Sequence, residues 1–197
     1  RSFGGRRVVF ALGHLSEVLV EYLNRLDSAD LEMVTHVESP LRGTGGALRT
    51  ILPLLRSPRV LVMNGDSYTR VDLSRFLAFH RERQAQLSMV LTYQGNMANF
   101  GCVETGEDGH VRSFVEKQPS TAGGYINTGL YLIDRAVIDS IPPNRNVSLE
   151  REVFPRYCRQ SFYAMKGIFP FVDIGTAESY AQADSFFRDA QSVAGAS

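Results

Sequence analysis

The sequence predicts an α/β protein: a mixed, mostly parallel sheet with helices on both faces, carrying a smaller β-rich lobe. Through the first half of the chain, short apolar runs alternate with segments of helical period, the order that βαβ units produce. The run Val60-Leu61-Val62-Met63 passes straight into Asn64-Gly65-Asp66, so a carboxylate stands where a buried strand ends, the place where open α/β sheets hold ligands. After Tyr93 the texture changes to short runs joined by glycine turns, as in antiparallel hairpins.

Val8 to Leu12 reads as a buried strand, with Gly13-His14 as the turn after it. Leu15, Val18, Leu19, Tyr22, Leu23 and Leu26 then recur at helical spacing. A strand from Glu32 to Glu38 leads into the glycine-rich turn Arg42-Gly43-Thr44-Gly45-Gly46, followed by a helix from Ala47 to Leu55 that Pro53 interrupts. Beyond the Asp66 strand, Leu73, Phe76 and Leu77 mark the inner face of a helix, and Leu87 to Tyr93 is another strand. Asp108-Gly109 is a hairpin turn between Gly101–Glu104 and Val111–Glu116, and Gly124 to Ile133 forms one long strand. Asp134 to Ser140 is a short helix. Ser148 caps the next, with Glu150 and Glu152 suiting its positive end and Pro155 breaking or kinking it. Late strands at Phe162–Met165 and Ile168–Ile174 precede a final helix capped by Thr176.

The whole chain sets further bounds. Its 197 residues suffice for one sizeable core. Lysine and arginine number 21 against 21 acidic residues, which gives no general attraction to nucleic acid or to an anionic membrane. Cys102 and Cys158 have no metal-ligand spacing, and a reduced, cytoplasmic setting is expected. No apolar run approaches the roughly 20 residues of a membrane span, and no signal peptide is visible. The sequence opens on Arg1, not methionine, and enters a strand almost at once, so residues preceding Arg1 are expected.

Chemistry-bearing residues cluster at strand ends. Asp66 follows one strand, Asp173 closes Phe171-Val172-Asp173, and the glycine turn lies upstream of the Asp66 strand. Two separated strand-end carboxylates and a glycine-rich turn suggest a metal–phosphate site. Each piece also has a plainer reading. Either aspartate serves as a turn residue, and the glycines serve as a simple strand-to-helix connection.

Six segments in order carry a family likeness: Leu41-Arg42-Gly43-Thr44-Gly45-Gly46-Ala47, Asn64-Gly65-Asp66, Phe100-Gly101, Phe114-Val115-Glu116-Lys117, Asn127-Thr128-Gly129 and Asp173-Ile174-Gly175-Thr176. Together they resemble the sugar-1-phosphate nucleotidylyltransferases over nearly the entire chain. Gly-Thr-Gly-Gly-Ala, Ser148-Leu149-Glu150 and Val153-Phe154-Pro155 look most like the branch acting on D-glycero-α-D-manno-heptose 1-phosphate with GTP. Mannose-1-phosphate guanylyltransferases and small uridylyltransferases lie close by. The family's hallmark, a Gly-Gly-x-Gly-Thr-Arg loop followed by Pro-Lys, does not occur here.

The resemblance implies a Rossmann-like nucleotidyltransferase fold: residues 1–95 for the nucleotide, 96–168 as the sugar lobe, and 169–197 for the second carboxylate and last helix. It implies Asp66, Lys117 and Asp173 as catalytic residues, with Asp66 and Asp173 holding Mg²⁺. Gly43, Thr44, Gly45, Gly46, Asn64, Gly65 and Asp66 would bind the nucleotide. Gly101, Glu116, Lys117, Asn127 and Thr128 would bind the sugar. The implied partners are GTP, or another nucleoside triphosphate, and a sugar 1-phosphate, with no nucleic acid and no membrane; a homo-oligomer is compatible with all of this. The product would feed surface polysaccharide. A nucleotide-sugar-binding regulator that keeps the fold is the non-enzymatic alternative. Asn127 on an apolar strand needs a partner for its amide, either a sugar hydroxyl or a structural bond. His14, His36, His80 and His110 share no spacing and read as structural or surface residues.

Overall fold

In chain order, β1 (Arg7–Leu12), α1 (Ser16–Arg25), β2 (Glu32–Val37), α2 (Gly43–Ile51), β3 (Arg59–Met63), β4 (Ser67–Thr69), α3 (Leu73–Glu82) and β5 (Leu87–Gln94) make the first half. The second half contains β6 (Cys102–Thr105), β7 (Val111–Val115), β8 (Gly124–Asp134), α4 (Arg135–Asp139), α5 (Phe154–Tyr157), β9 (Phe162–Gly167), β10 (Phe171–Asp173) and α6 (Ala177–Ala194). The computed structural model describes residues 4–26, 30–95, 102–115, 123–158 and 160–194.

The main sheet runs β7-β6-β8-β5-β9, with β3 on the other end of β8. β5 and β9 are parallel, and β8 runs against β3, β5 and β6, so those three strands and β9 share a direction. The strand–helix alternation foretells shared direction but not adjacency: β3 and β5 are separated by β8, which arrives from far along the chain. β1 and β2 form a separate parallel pair, and β4 pairs antiparallel with β10.

Alternate residues of β5 and β8 feed two apolar layers, as the two-residue period of a strand requires. Leu87, Met89 and Leu91 of β5 join Tyr131 and Ile133 of β8 against Phe154 and Phe162. Val90, Leu130 and Leu132 face the other way, onto Phe76 of α3, with Leu73 and Leu77 packed alongside. Each fully buried side chain of this size contributes about 1.5–3 kcal/mol relative to exposure.

Local details depart from the sequence reading where backbone geometry intervenes. α2 starts at Gly43 rather than Ala47, and a short tight helical turn, Leu52–Leu54, replaces its expected end around Pro53. Ser148 does cap its helix, accepting from Arg151 N at 3.2 Å, but the first turn is widened, with Val153 N bonded to Ser148 O at 3.3 Å. The Pro155 ring would clash with the carbonyl four residues back in a regular helix, so widening relieves it. The α1 stripe is the largest departure. Leu23 is 6% exposed, whereas Val18 and Tyr22 are 64% and 60% exposed.

His80 of α3 is fully buried, with Nδ1 2.9 Å from Ser88 Oγ. Its Nε2 lies 3.5 Å from Asp134 Oδ1, which also accepts from Arg59 Nε at 3.2 Å. Burial, and then the charge of Arg59, hold the imidazole pKa below its ordinary 6.5, with Asp134 opposing them. The unfolded chain therefore takes up a proton near pH 6.5, at a pH where the folded chain does not. This site's stability is full above that pH and is lost as pH falls through the window beneath it. Urea midpoints are expected to decline between about pH 7 and 5, and His80→Asn to flatten that decline. Parallel slopes for the two proteins would remove His80 as the titrating group.

Candidate active site

The site is assembled by backbone pairing between segments distant in sequence. Asn64, Gly65 and Asp66 leave β3 exposed at its carboxyl end. Asn64 N donates to Gly129 O at 2.9 Å, and Ser67 Oγ donates to Thr128 O at 3.1 Å. Gly129 has a φ of +74°, and a Cβ there would stand 2.6 Å from Ser67 Oγ and 2.8 Å from Asn64 Cγ. Only glycine lets these two segments close on each other.

Asp173 of β10 pairs with Ser67 of β4, and Ile174 N donates to Asp66 O at 2.8 Å. The backbones that carry the two expected carboxylates are thus brought side by side. Asp173 Oδ1 also accepts from Gly175 N at 2.9 Å, the turn role that the plainer reading gave it. Magnesium takes one or two carboxylates and fills its remaining positions with water and phosphate oxygens, and this pair fits that donor set. No cluster of three or more His, Cys, Asp or Glu side chains able to hold a metal occurs among the described residues.

The glycine turn packs closely against another part of the chain. Gly45 N and Gly46 N both donate to Val147 O, at 2.8 and 3.1 Å, and Val147 N donates to Arg42 O at 2.8 Å. A Cβ on Gly43 would meet Asn146 Oδ1 and Val147 O at 2.7 Å, and one on Gly46 would meet Arg145 O at 2.6 Å. These glycines admit the close approach of the chain's own segment 145–149. Thr44 completes the seam: its Oγ1 accepts from Leu149 N and donates to Glu150 Oε2, both at 2.9 Å.

Asn127 also finds its partners within the protein. Its Nδ2 donates to Tyr131 Oη at 2.6 Å and its Oδ1 accepts from Gly129 N at 3.1 Å, which leaves one further donor and one acceptor position. The Tyr131 phenol is pushed above its usual pKa by burial, then by the charge of Glu150; Asp66 adds in the same direction and the Asn127 bond opposes. Thr128 is corrected as a ligand residue: it is 2% exposed and its hydroxyl donates to Val90 O at 3.0 Å, so the side chain serves the sheet. Gly101, Glu116 and Lys117 lie outside the described residues.

Two further carboxylates, which the sequence reading left out of the site, adjoin the glycine turn, one in sequence and one through Thr44. Glu38 follows β2, and its Oε1 is buried with no hydrogen-bond partner among the described residues. A strand-end carboxylate just before a glycine turn was the available signal. Glu150 was read as a helix-end charge and as part of the Ser148-Leu149-Glu150 likeness. A cavity of about 150 Å³ lined by Met63, Ser67, Arg70, Thr128 and Gly129 lies beneath the joined segments. Ligand pockets run to about 300–1,000 Å³, so this cavity is too small to enclose a nucleotide.

The profile of the nucleotidyl transferase family matches residues 4–190. The mannose-1-phosphate guanylyltransferase of Mycobacterium tuberculosis is 39% identical over 153 residues, covering 76% of this chain and 42% of that protein. The D-glycero-alpha-D-manno-heptose 1-phosphate guanylyltransferase of Aneurinibacillus thermoaerophilus is 26% identical over 179 residues, or 90% of this chain and 76% of that one. The crystal structure of HddC from Yersinia pseudotuberculosis superposes with a TM-score of 0.84 at 25% identity, covering 94% of this chain and 80% of HddC. The chain spans about half the length of several curated relatives it matches. No helix among the described residues is long and apolar enough to cross a membrane.

Proposed function

Because the chain belongs to the nucleotidyl transferase family, we propose that it transfers a guanylyl group from GTP to a sugar 1-phosphate, releasing pyrophosphate. The acceptor is a heptose or mannose 1-phosphate, the two sugars named in the relatives above. The observation that supports this reading is the hydrogen bond from Ile174 N to Asp66 O, which joins the backbone after β10, the strand of Asp173, to the turn that carries Asp66. A phosphate oxygen of the sugar attacks the α-phosphorus of GTP, and the bond to the β-phosphate oxygen breaks. The acceptor is already an anion, so no protein nucleophile is needed, and positioning with charge neutralisation does most of the work. A magnesium ion held by Asp66 and Asp173 would supply positive charge to the phosphates. The family resemblance assigns Lys117 to the sugar phosphate and Glu116 to the sugar hydroxyls, and both roles are part of this proposal.

Glu38 supports guanine as the base. Its unpartnered Oε1 carries a desolvation cost of about 1–3 kcal/mol, which the N1–H and N2–H donors of guanine would offset. Uracil and thymine offer one ring N–H on that edge, and adenine has an unprotonated N1 there.

The test is pyrophosphate release with Mg²⁺, each of the four nucleoside triphosphates, and a panel of hexose and heptose 1-phosphates. Release with GTP and one of the two sugars is the expected result. Release with a different pair would keep the reaction and change the substrate. Silence across the panel, with nucleotide sugars still binding, would point to a regulator. Glu38→Gln is expected to raise the KM for GTP about tenfold and leave that for the sugar phosphate unchanged. An unaltered KM for GTP would remove Glu38 from the base site.

A further inference from the structure

We propose that Glu150 reads the hydroxyl pattern of the acceptor sugar; this rests on the transfer reaction proposed above. Its carboxylate is fixed on one side only. Oε2 accepts from Thr44 Oγ1 at 2.9 Å and from Ser148 Oγ at 3.0 Å, while Oε1 takes no hydrogen bond among the described residues. Two donors on one oxygen hold the group in place, and the other oxygen is left to accept from something else. The helix it begins needs no help from it. Ser148 Oγ already accepts from Arg151 N, and Glu152 Oε1 accepts from Ser148 N at 3.1 Å, so the cap is complete without Glu150.

Position and charge narrow what Oε1 can meet. Glu150 is joined to the glycine turn through Thr44, and its charge bears on the Tyr131 phenol, which is bonded to Asn127 and also feels Asp66. It therefore stands beside the turn, with the Tyr131 phenol that holds Asn127 within reach of its charge. A carboxylate there repels phosphate, so the part of a substrate it can hold is a hydrogen-bond donor. The guanine N–H donors are matched by Glu38, at the β2 end of the turn. What remains is a sugar hydroxyl. A fixed carboxylate accepting from one hydroxyl tells epimers apart, because the wrong epimer turns that donor away and leaves a charged acceptor unpaired.

The experiment compares wild type with Glu150→Gln, which keeps the shape and an oxygen for Thr44 and Ser148 but loses the charge. KM is measured for the acceptor, for its singly deoxygenated analogues at each ring position, and for GTP. KM does not depend on how much of the preparation is folded. The expected result is a rise of about ten- to a hundredfold in the acceptor KM, with the GTP value unmoved. For the one analogue lacking the recognised hydroxyl, the two enzymes should agree. An unchanged acceptor KM, or a rise in the KM for GTP instead, would overturn the assignment while wild-type turnover left the reaction itself standing. Wild-type silence on every acceptor would overturn the reaction and this assignment together.

Discussion

Asp66→Asn is expected to lower pyrophosphate release by a hundredfold or more, with no change in melting temperature. The amide replaces a carboxylate at almost identical size but offers a cation one neutral oxygen in place of a charge. Preorganised charge at a reacting centre accounts for losses on the order of 10²–10³ when a single group is removed. The fold should not notice, because Asp66 is exposed and its structural contribution is its backbone carbonyl, which still accepts from Ile174 N. Asp173→Asn should lose activity similarly, since an asparagine oxygen can still accept from Gly175 N and keep the turn. A magnesium titration separates two origins of the loss. If Asp66 holds the ion, the variant's half-saturating Mg²⁺ concentration rises. Activity within tenfold of wild type at ordinary Mg²⁺ would remove Asp66 as a ligand.

What the sequence made legible follows the range of the forces involved. The Asp66 strand, the Asp108-Gly109 turn and the long strand from Gly124 are set by local period and turn chemistry, and each is present; Gly109 has a φ of +83°. Insertion of β8 between β3 and β5 is a long-range choice that no local window records. The α1 stripe shows the same limit. Its spacing locates the helix correctly, but the buried face depends on which surface is offered. Here the helix buries Ser16 and Leu23 and leaves Val18 and Tyr22 outward. The strand-end aspartates were legible as candidates because strand ends in α/β sheets face a common crevice. The unpartnered oxygen of Glu38 and the half-used carboxylate of Glu150 were not legible, because such features exist only once the surroundings are packed. Thr128 erred in the opposite direction: a polar residue beside Asn127 in sequence points to the other face of the strand, into the sheet.

Gly43→Ala is expected to destabilise the protein by about 2–5 kcal/mol, combining the cost of a left-handed conformation for alanine with that of overpacking. Its φ is +71°, and the new methyl would stand 2.7 Å from Val147 O and from Asn146 Oδ1. The Asn146 side chain can move, but the Val147 carbonyl is held by two donors, Gly45 N and Gly46 N. Relief would therefore have to open the seam between α2 and segment 145–149, and with it the Thr44–Glu150 bond. Gly65→Ala is the matched control, since a Cβ there meets nothing within 4 Å and the backbone has no positive φ. It should melt like wild type and yet weaken GTP binding if the nucleotide lies over Gly65. Urea unfolding with a common m-value would measure both variants. A Gly43→Ala midpoint equal to wild type would show that the seam has slack, and the glycine at this position would then have to be explained by a ligand's approach.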